Sequence, residues 1–367
     1  MRKLIITLII LICTTLWSSA CLAKEPETSQ LKLQEAIDMA LKNSKSIKNS
    51  SLDIEKAKEQ RENAEDSVDY APGESQNAAA DSAWYSLLSA DLSWQMSKKT
   101  YAADEDSLVL DVCQKYWNIQ KDIENVKIKE LNISQTELAL KRVRAMVNLG
   151  MTPQAGTSPA LAQTNAEAAL EDAKSELENA NNSLNTAYET FNQVVGLWPE
   201  DRPELVEEVD FTPLKDVVLE SQVNRVLAES PQVWLADKSI ELAKFAYEKM
   251  YASGAYTSFE VRKIEKEQAE LDAISTKDAV AEATRSLYYT VRNLEAAMPV
   301  LEKAVTGAEE ALRVAKLSFD LGMVTKETVL ERELALETAK NKLLGAKLDH
   351  AYAKMAFQKP WAAGSGA

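Results

Sequence analysis

The stretch Leu312-Arg-Val-Ala-Lys-Leu-Ser-Phe-Asp-Leu-Gly-Met-Val-Thr325 ends a long apolar seam at a glycine. Leading into it, Met298, Leu301, Val305, Ala308, Leu312, Ala315 and Phe319 are spaced 3, 4, 3, 4, 3 and 4 residues apart. That is the heptad period of helices packed along a common seam. Leu321-Gly322-Met323 then reads as a turn, because glycine adopts the left-handed conformation that stops a helix. The same signal stands 172 residues earlier as Leu149-Gly150-Met151, and Tyr116-Trp117 precedes Tyr288-Tyr289 by the same shift. Asn43-Ser44 with Ile54, Ala57 and Lys58 matches Glu229-Ser230 with Ile240, Ala243 and Lys244 at a shift of 186. Ala173, Ala180 and Ala187 match Ala339, Ala346 and Ala353 at 166. The chain is therefore a duplication, with copy 1 carrying the longer break before its long helix and the longer loop at its glycine turn.

Each copy reads as short helix, break, very long helix, glycine turn, short helix. In copy 1, Leu108, Val112, Tyr116, Ile119, Ile123 and Val126 form an apolar helical stripe within a span free of Pro and Gly from Ser82 to Asn148. A helix of about 60 residues is roughly 90 Å long, so each copy is expected to be one long helix lying against two shorter ones end to end. Alanines seven apart on the closing helix allow a neighbour close approach. Pro299 lies inside the second long helix, where a kink is expected. The spans are residues 1–23, a signal peptide; 24–196, repeat 1; 197–213, a linker with Pro199, Pro203 and Pro213; 214–358, repeat 2; and 359–367, a frayed tail. The fold class is all-α, duplicated long helical hairpins with little or no β. Ten Gly and ten Pro in 367 residues are too few for a chain of many short strands.

Arg2 and Lys3, an apolar run from Leu4 to Trp17 and the small residues up to Ala23 mark an export signal. Its removal takes the net charge from −15 to −17. A second reading is lipidation at Cys21 as the first mature residue. Cys113 is then the lone cysteine apart from Cys21, a small core residue in an apolar helical stretch. The acidic balance argues against a nucleic-acid partner. One histidine, His350, makes a His-based metal site or a Ser-His-Asp triad improbable. No phosphate loop, metal cluster or nucleophile–base set stands out, so neither enzyme activity nor a cofactor is expected.

The duplicated order of motifs resembles the TolC family of outer-membrane efflux proteins over nearly the whole mature chain. The opening Leu31-Lys-Leu-Gln-Glu-Ala-Ile-Asp-Met-Ala-Leu-Lys-Asn-Ser44, the segment Leu227-Ala-Glu-Ser-Pro231, and Phe319-Asp-Leu-Gly-Met-Val-Thr325 followed by Leu330, Ala335, Leu336, Ala339, Leu343 and Ala346 carry it. The resemblance implies a homotrimer whose twelve helical strands enclose an α-barrel tunnel. It also implies docking on a periplasmic adaptor (a membrane fusion protein) and an inner-membrane transporter, with a location in the cell envelope, at an outer membrane or a periplasm-like space. The family adds one membrane β-hairpin per copy after the first helix. Here the breaks are Asp66 to Asp81 and Tyr251 to Ser258. A spanning strand needs about 9–11 residues, so neither break holds two, and the membrane barrel is expected to be absent or vestigial.

Three sets of residues are candidate sites. Leu149, Gly150, Met151, Leu321, Gly322 and Met323 form the tips that, by the resemblance, receive the adaptor; the plain alternative is a glycine helix stop with Leu packed beneath. Counted from Gly322, the family's tunnel-entrance acids fall at Thr328 and Glu331; only Glu331 is acidic, with Glu327 adjacent to Thr328. A trimer would present a ring of carboxylates favouring cations; the alternative is a solvated face. Tyr70, Trp84, Tyr85 and Trp94 flank the first break and Tyr247, Tyr251, Tyr256 and Phe259 the second, either closing the distal mouth or packing helix ends. Two functions compete: a conduit whose second hairpin pivots to open the tunnel, and an exported coiled-coil scaffold without channel activity.

Overall fold

A computed structural model describes residues 30–68, 78–151, 158–215, 218–250 and 259–363. The signal segment, Cys21, Tyr70, Tyr251 and Tyr256 lie outside the described residues. The chain runs β1 (Gln30–Leu31), α1 (Leu33–Asn43), α2 (Lys45–Glu65), α3 (Ala78–Asn148), α4 (Pro159–Val195) and β2 (Glu204–Leu205). It continues through α5 (Leu219–Glu229), α6 (Pro231–Phe245) with a π-helical turn at Ala246–Met250, α7 (Phe259–Asp320), α8 (Lys326–Gln358) and α9 (Pro360–Ala363). The only strands among the described residues are β1 and β2, two residues each and paired in parallel. The all-α reading holds. No helix of the described residues is long and apolar enough to cross a membrane.

The long helices are α3, with 71 residues, and α7, with 62, or about 105 and 93 Å at 1.5 Å per residue. α7 continues through Pro299 as one hydrogen-bonded helix. Both opening helices correct the sequence reading, which took each as one piece. Ser44 ends α1 and starts α2 at φ −58°, ψ 124°, and Ser230 does the same between α5 and α6 at φ −61°, ψ 123°. Each is extended, and each hydroxyl accepts the N–H three residues on, from Ile47 and Val233. A serine side chain competes with the helix for backbone donors, so it breaks the helix and caps the next.

The helices form a layer. α3 is its spine, with α2 and α4 on one side and α6 and α8 on the other; α7 lies beyond these, against α5, α6 and α8. The middle of the predicted stripe on α3 is buried, with Val112, Tyr116 and Ile119 at 0% exposure, while Leu108, Ile123 and Val126 are half-buried. The α7 seam holds from Met298 to Ala315, whereas Phe319 is exposed. Ala173, Ala180 and Ala353 are buried on the closing helices.

The main core lies at one level along the rods, where α1, mid α3 and the ends of α4 and α8 meet. Each copy contributes a tyrosine–phenylalanine pair: Tyr116 with Phe191, ring centroids 6.1 Å apart, and Tyr288 with Phe357, 5.8 Å apart. These residues match at the repeat shifts of 172 and 166. The segment from 359 onward is also a correction. Its first residues are not frayed: Lys359 and Trp361 Nε1 bond Asp106, Ser107 Oγ donates to the Ala362 carbonyl at 3.0 Å, and Ala362 is buried against Leu110 and Ala356. Pro360 and Trp361 also line a cavity of 720 Å³ among small side chains of α6 and α7.

Candidate functional site

The two tips are built alike. Gly150 and Gly322 sit at φ 71° and 72°. At the first, Met151 N–H bonds the Met146 carbonyl (2.9 Å) and Gly150 N–H bonds Val147 (3.0 Å); at the second, Met323 bonds Ser318 (2.8 Å) and Gly322 bonds Phe319 (2.9 Å). Two such bonds around a left-handed glycine make a Schellman stop, which satisfies the last carbonyls of the helix. In copy 2 the chain restarts at once, with Thr325 Oγ1 accepting from Thr328 N. In copy 1, Ser158 caps α4 by accepting from Leu161 N, with Pro159 in the first turn.

The leucines do not pack beneath the turns. Leu149 is 72% exposed and Leu321 68%; Met151 and Met323 are also exposed. The tips therefore present four large apolar side chains to solvent. Near them, Glu327 and Glu331 differ. Glu327 Oε2 pairs with Arg142 Nη1 at 3.1 Å, joining α8 to α3. Glu331 is exposed beside Leu301 and Ala304 in a shallow groove between α7 and α8.

About 40 Å from the tips, at 1.5 Å per helical residue, a belt crosses the rods. Residues 197–213, read from sequence as a linker, and Leu214 just beyond them are stitched to α4, α3, α8 and α7 in turn. Asn192 Nδ2 on α4 donates to the Trp198 and Asp201 carbonyls, both at 2.9 Å. On α3, Tyr116 OH donates to Leu31 O (2.9 Å) and accepts from Glu207 N (3.2 Å), and Gln120 Nε2 donates to Glu207 O (2.7 Å). On α8, Lys354 Nζ donates to Thr212 O at 2.9 Å, and the Phe211 ring lies 4.9 Å from that of His350. Finally Glu295, on α7, accepts from Leu214 N.

Glu295 is a hub. Its carboxylate also accepts from Arg292 Nη1 at 2.9 Å and lies 3.3 Å from His350 Nε2. Burial works against the Glu295 charge, but the Leu214 N–H, Arg292 and His350 outweigh it and hold the carboxyl below its ordinary range. His350, 2% exposed, is thus a structural partner of this carboxylate. The sequence carried one signal for the hub: at the repeat shifts, Ile123 and Leu184 stand in copy 1 where copy 2 has Glu295 and His350. Cys113 is buried in the main core, and burial pushes its thiol up to about 11, which leaves it protonated and unreactive at neutral pH.

At the distal ends the aromatics pack locally. Tyr247 and Phe259 lie 5.0 Å apart across the second break. Trp94 has Lys98 Nζ 3.4 Å from its ring centroid, with Arg61 on the same ring at 5.6 Å. Between Glu65 and Ala78 there are twelve residues, and between Met250 and Phe259 eight.

No protein-family model matches the chain, and no curated protein matches it. Solved structures do. The Campylobacter jejuni CmeC outer membrane channel matches with a TM-score of 0.66 at 12% identity, over 93% of this chain and 90% of that one. A Pseudomonas aeruginosa membrane protein matches with a TM-score of 0.64 at 13% identity, over 92% and 93%. The open state of the Neisseria gonorrhoeae MtrE outer membrane channel matches with a TM-score of 0.58 at 16% identity, over 90% and 88%. The protein has the helical fold of the TolC-type outer-membrane channels. At these identities the likeness is one of fold.

Proposed function

We propose that the protein is a component of a trimeric envelope conduit for efflux or secretion, its tunnel walled by the long helices. The observation that carries this reading is an open layer of rods with an uncovered apolar edge. Ile264, Leu271, Ile274, Tyr289, Val300 and Val314 on α7 are all exposed. At 100° per residue they share one face, roughly opposite the buried Val291, Met298 and Leu312. A layer with an apolar edge at one side and a different edge, α2 and α4, at the other is suited to a head-to-tail contact that closes a ring. The likeness to outer-membrane channels supports the same reading.

In this proposal the four exposed apolar residues at the tips receive a periplasmic adaptor linked to an inner-membrane transporter. The second hairpin, α7–α8, pivots to open the entrance, and the Arg142–Glu327 pair holds the tips together when closed. Glu331 is the candidate entrance acid, since Glu327 is already paired. The protein sits in the cell envelope without a membrane barrel of its own, because twelve and eight residues do not accommodate two strands of about 9–11 residues each. Those short intervals also favour the second reading, a scaffold that kept the helices and lost transport.

The test is the mass in solution of the mature chain from Lys24, without and then with detergent. A detergent-free trimer is expected. A monodisperse monomer in both conditions favours the scaffold. Aggregation without detergent and a trimer with it would reveal a membrane segment.

A further inference from the structure

Both hairpins are bound at their bases to the strap, residues 197–215: hairpin 1, α3–α4, by the neutral groups of Tyr116, Gln120, Tyr188 and Asn192, and hairpin 2 by Lys354 and an ionised hub. At the level of the hub, copy 1 has Ile123 and Leu184, both packed against the main core. Copy 2 has Glu295 and His350, and the same carboxylate also binds Leu214 of the strap. Apolar contact is non-directional and survives small shifts. A part-buried carboxylate holding three donors is more discrete: once one element moves, the Leu214 N–H and the buried His350 ring lose their acceptor. Such a contact has an engaged and a disengaged arrangement with little between.

The ion pairs between α8 and α3 are weaker. Lys121–Asp349 spans 3.5 Å with both side chains exposed, and Arg142–Glu327 has its arginine in solvent. Exposed pairs of this kind hold little. Gly345 faces the Lys121 stem, where an added Cβ would lie in ordinary contact at 3.6 Å, and glycine itself offers no side chain to lock α8 to α3 there. The hub, with Lys354–Thr212 beside it, is then what ties hairpin 2 to the strap. The arm beyond it is long: from Glu295 to Asp320, α7 runs 25 residues without a break, or about 38 Å. A small rotation at the base becomes a displacement of several ångströms at Gly322.

We infer that the Glu295 hub is a releasable clamp at the base of hairpin 2, which joins the strap to α7 and α8 and sets how freely the Gly322 tip moves relative to the Gly150 tip. Its use in opening rests on the conduit reading. Its physical content does not, so the test avoids transport. Hydrogen exchange is followed by mass spectrometry on the full mature chain for wild type, Glu295→Gln and a control, Glu310→Gln, which removes only the exposed Glu310–Arg313 pair. Glu295→Gln keeps the shape and removes the charge. Faster exchange is expected at residues 206–215 and around Gly322, by at least about threefold, with no change around Gly150 and none anywhere in the control beyond its own turn. Faster exchange confined to the strap would overturn the clamp, as would an equal rise at both tips. If Glu295→Gln does not fold, His350→Gln removes one of the three donors and carries the same comparison. A protein that proves to be a monomeric scaffold, yet shows the contrast between tips, would sink the conduit and leave the clamp standing.

Discussion

The two copies end alike and are rooted differently. At the tips, Gly150 and Gly322 differ by one degree in φ and close the same two hydrogen bonds. At the bases, the Tyr116–Phe191 and Tyr288–Phe357 pairs correspond, but one level away Ile123 and Leu184 face Glu295 and His350 as their counterparts. Around them Gln120 and Tyr188, which reach the strap at Glu207 and Pro203, correspond to Arg292 and Lys354. A duplication that holds its turns fixed and changes its anchors has kept one mechanical part twice. The parts differ in how firmly each is attached.

If the aromatic pairs are the shared foundation, Phe191→Ala and Phe357→Ala should be the most damaging changes and about equal. Each is expected to lose about 3–5 kcal/mol in denaturant unfolding, the range for emptying a buried phenylalanine site. A large inequality would show that one base carries the fold alone. Gly196→Ala comes next. Gly196 is left-handed at φ 88°, and an alanine Cβ there would meet Asn43 Nδ2 at 2.4 Å, the group that donates to Val195 O. Strain plus a lost bond should cost on the order of 2–3 kcal/mol, and the loss should fall on copy 1.

The hub itself can be exchanged for its counterpart. Glu295→Ile alone leaves donors unpaired and should cost about 2 kcal/mol. Adding His350→Leu recreates the pair of copy 1 and should restore part of that, because apolar replacement of a whole buried pair is often nearly neutral. No recovery in the double variant would mean that Leu214 and Arg292, not His350, need the carboxylate. At the tips, Gly150→Ala and Gly322→Ala should each cost about 1 kcal/mol from backbone strain. They should match, since nothing stands within 4 Å of a Cβ at either site.

The smallest effect is on pH. The Glu295 carboxyl is held below its ordinary value of 4.5 in the folded chain. Its contribution to stability is therefore present above pH 4.5 and is lost as pH falls through the lower folded value. Denaturant titrations of wild type and Glu295→Gln should converge in that acid window and run parallel above it. A constant gap throughout would show that the charge is not what matters.

Much of this was legible. The 3-4 spacing from Met298, the glycines at 150 and 322 and the alanines seven apart specify rods, stops and a close seam through local geometry alone. Ser44 and Ser230 were visible as a repeated pair, but not as helix breaks. A serine within a helical pattern is neutral until one sees whether its hydroxyl takes a backbone N–H. The strap was misread as a linker because its prolines and acids look solvated; its order comes from Asn192 on α4, Tyr116 and Gln120 on α3, and Lys354 on α8. The tail was misread as frayed for the same reason, since Asp106, its anchor, is 255 residues from Trp361.

The amino-acid sequence by itself determined the duplication, the helix lengths and the two glycine turns, because each depends on periodicity and backbone preference within a few residues. Only the tertiary structure decided that Leu149 and Leu321 face solvent, that Glu327 pairs with Arg142 while Glu331 is exposed, and that one part-buried carboxylate gathers Leu214, Arg292 and His350. Those outcomes depend on which rods lie side by side and at what level, and that is set by packing between segments far apart in the chain.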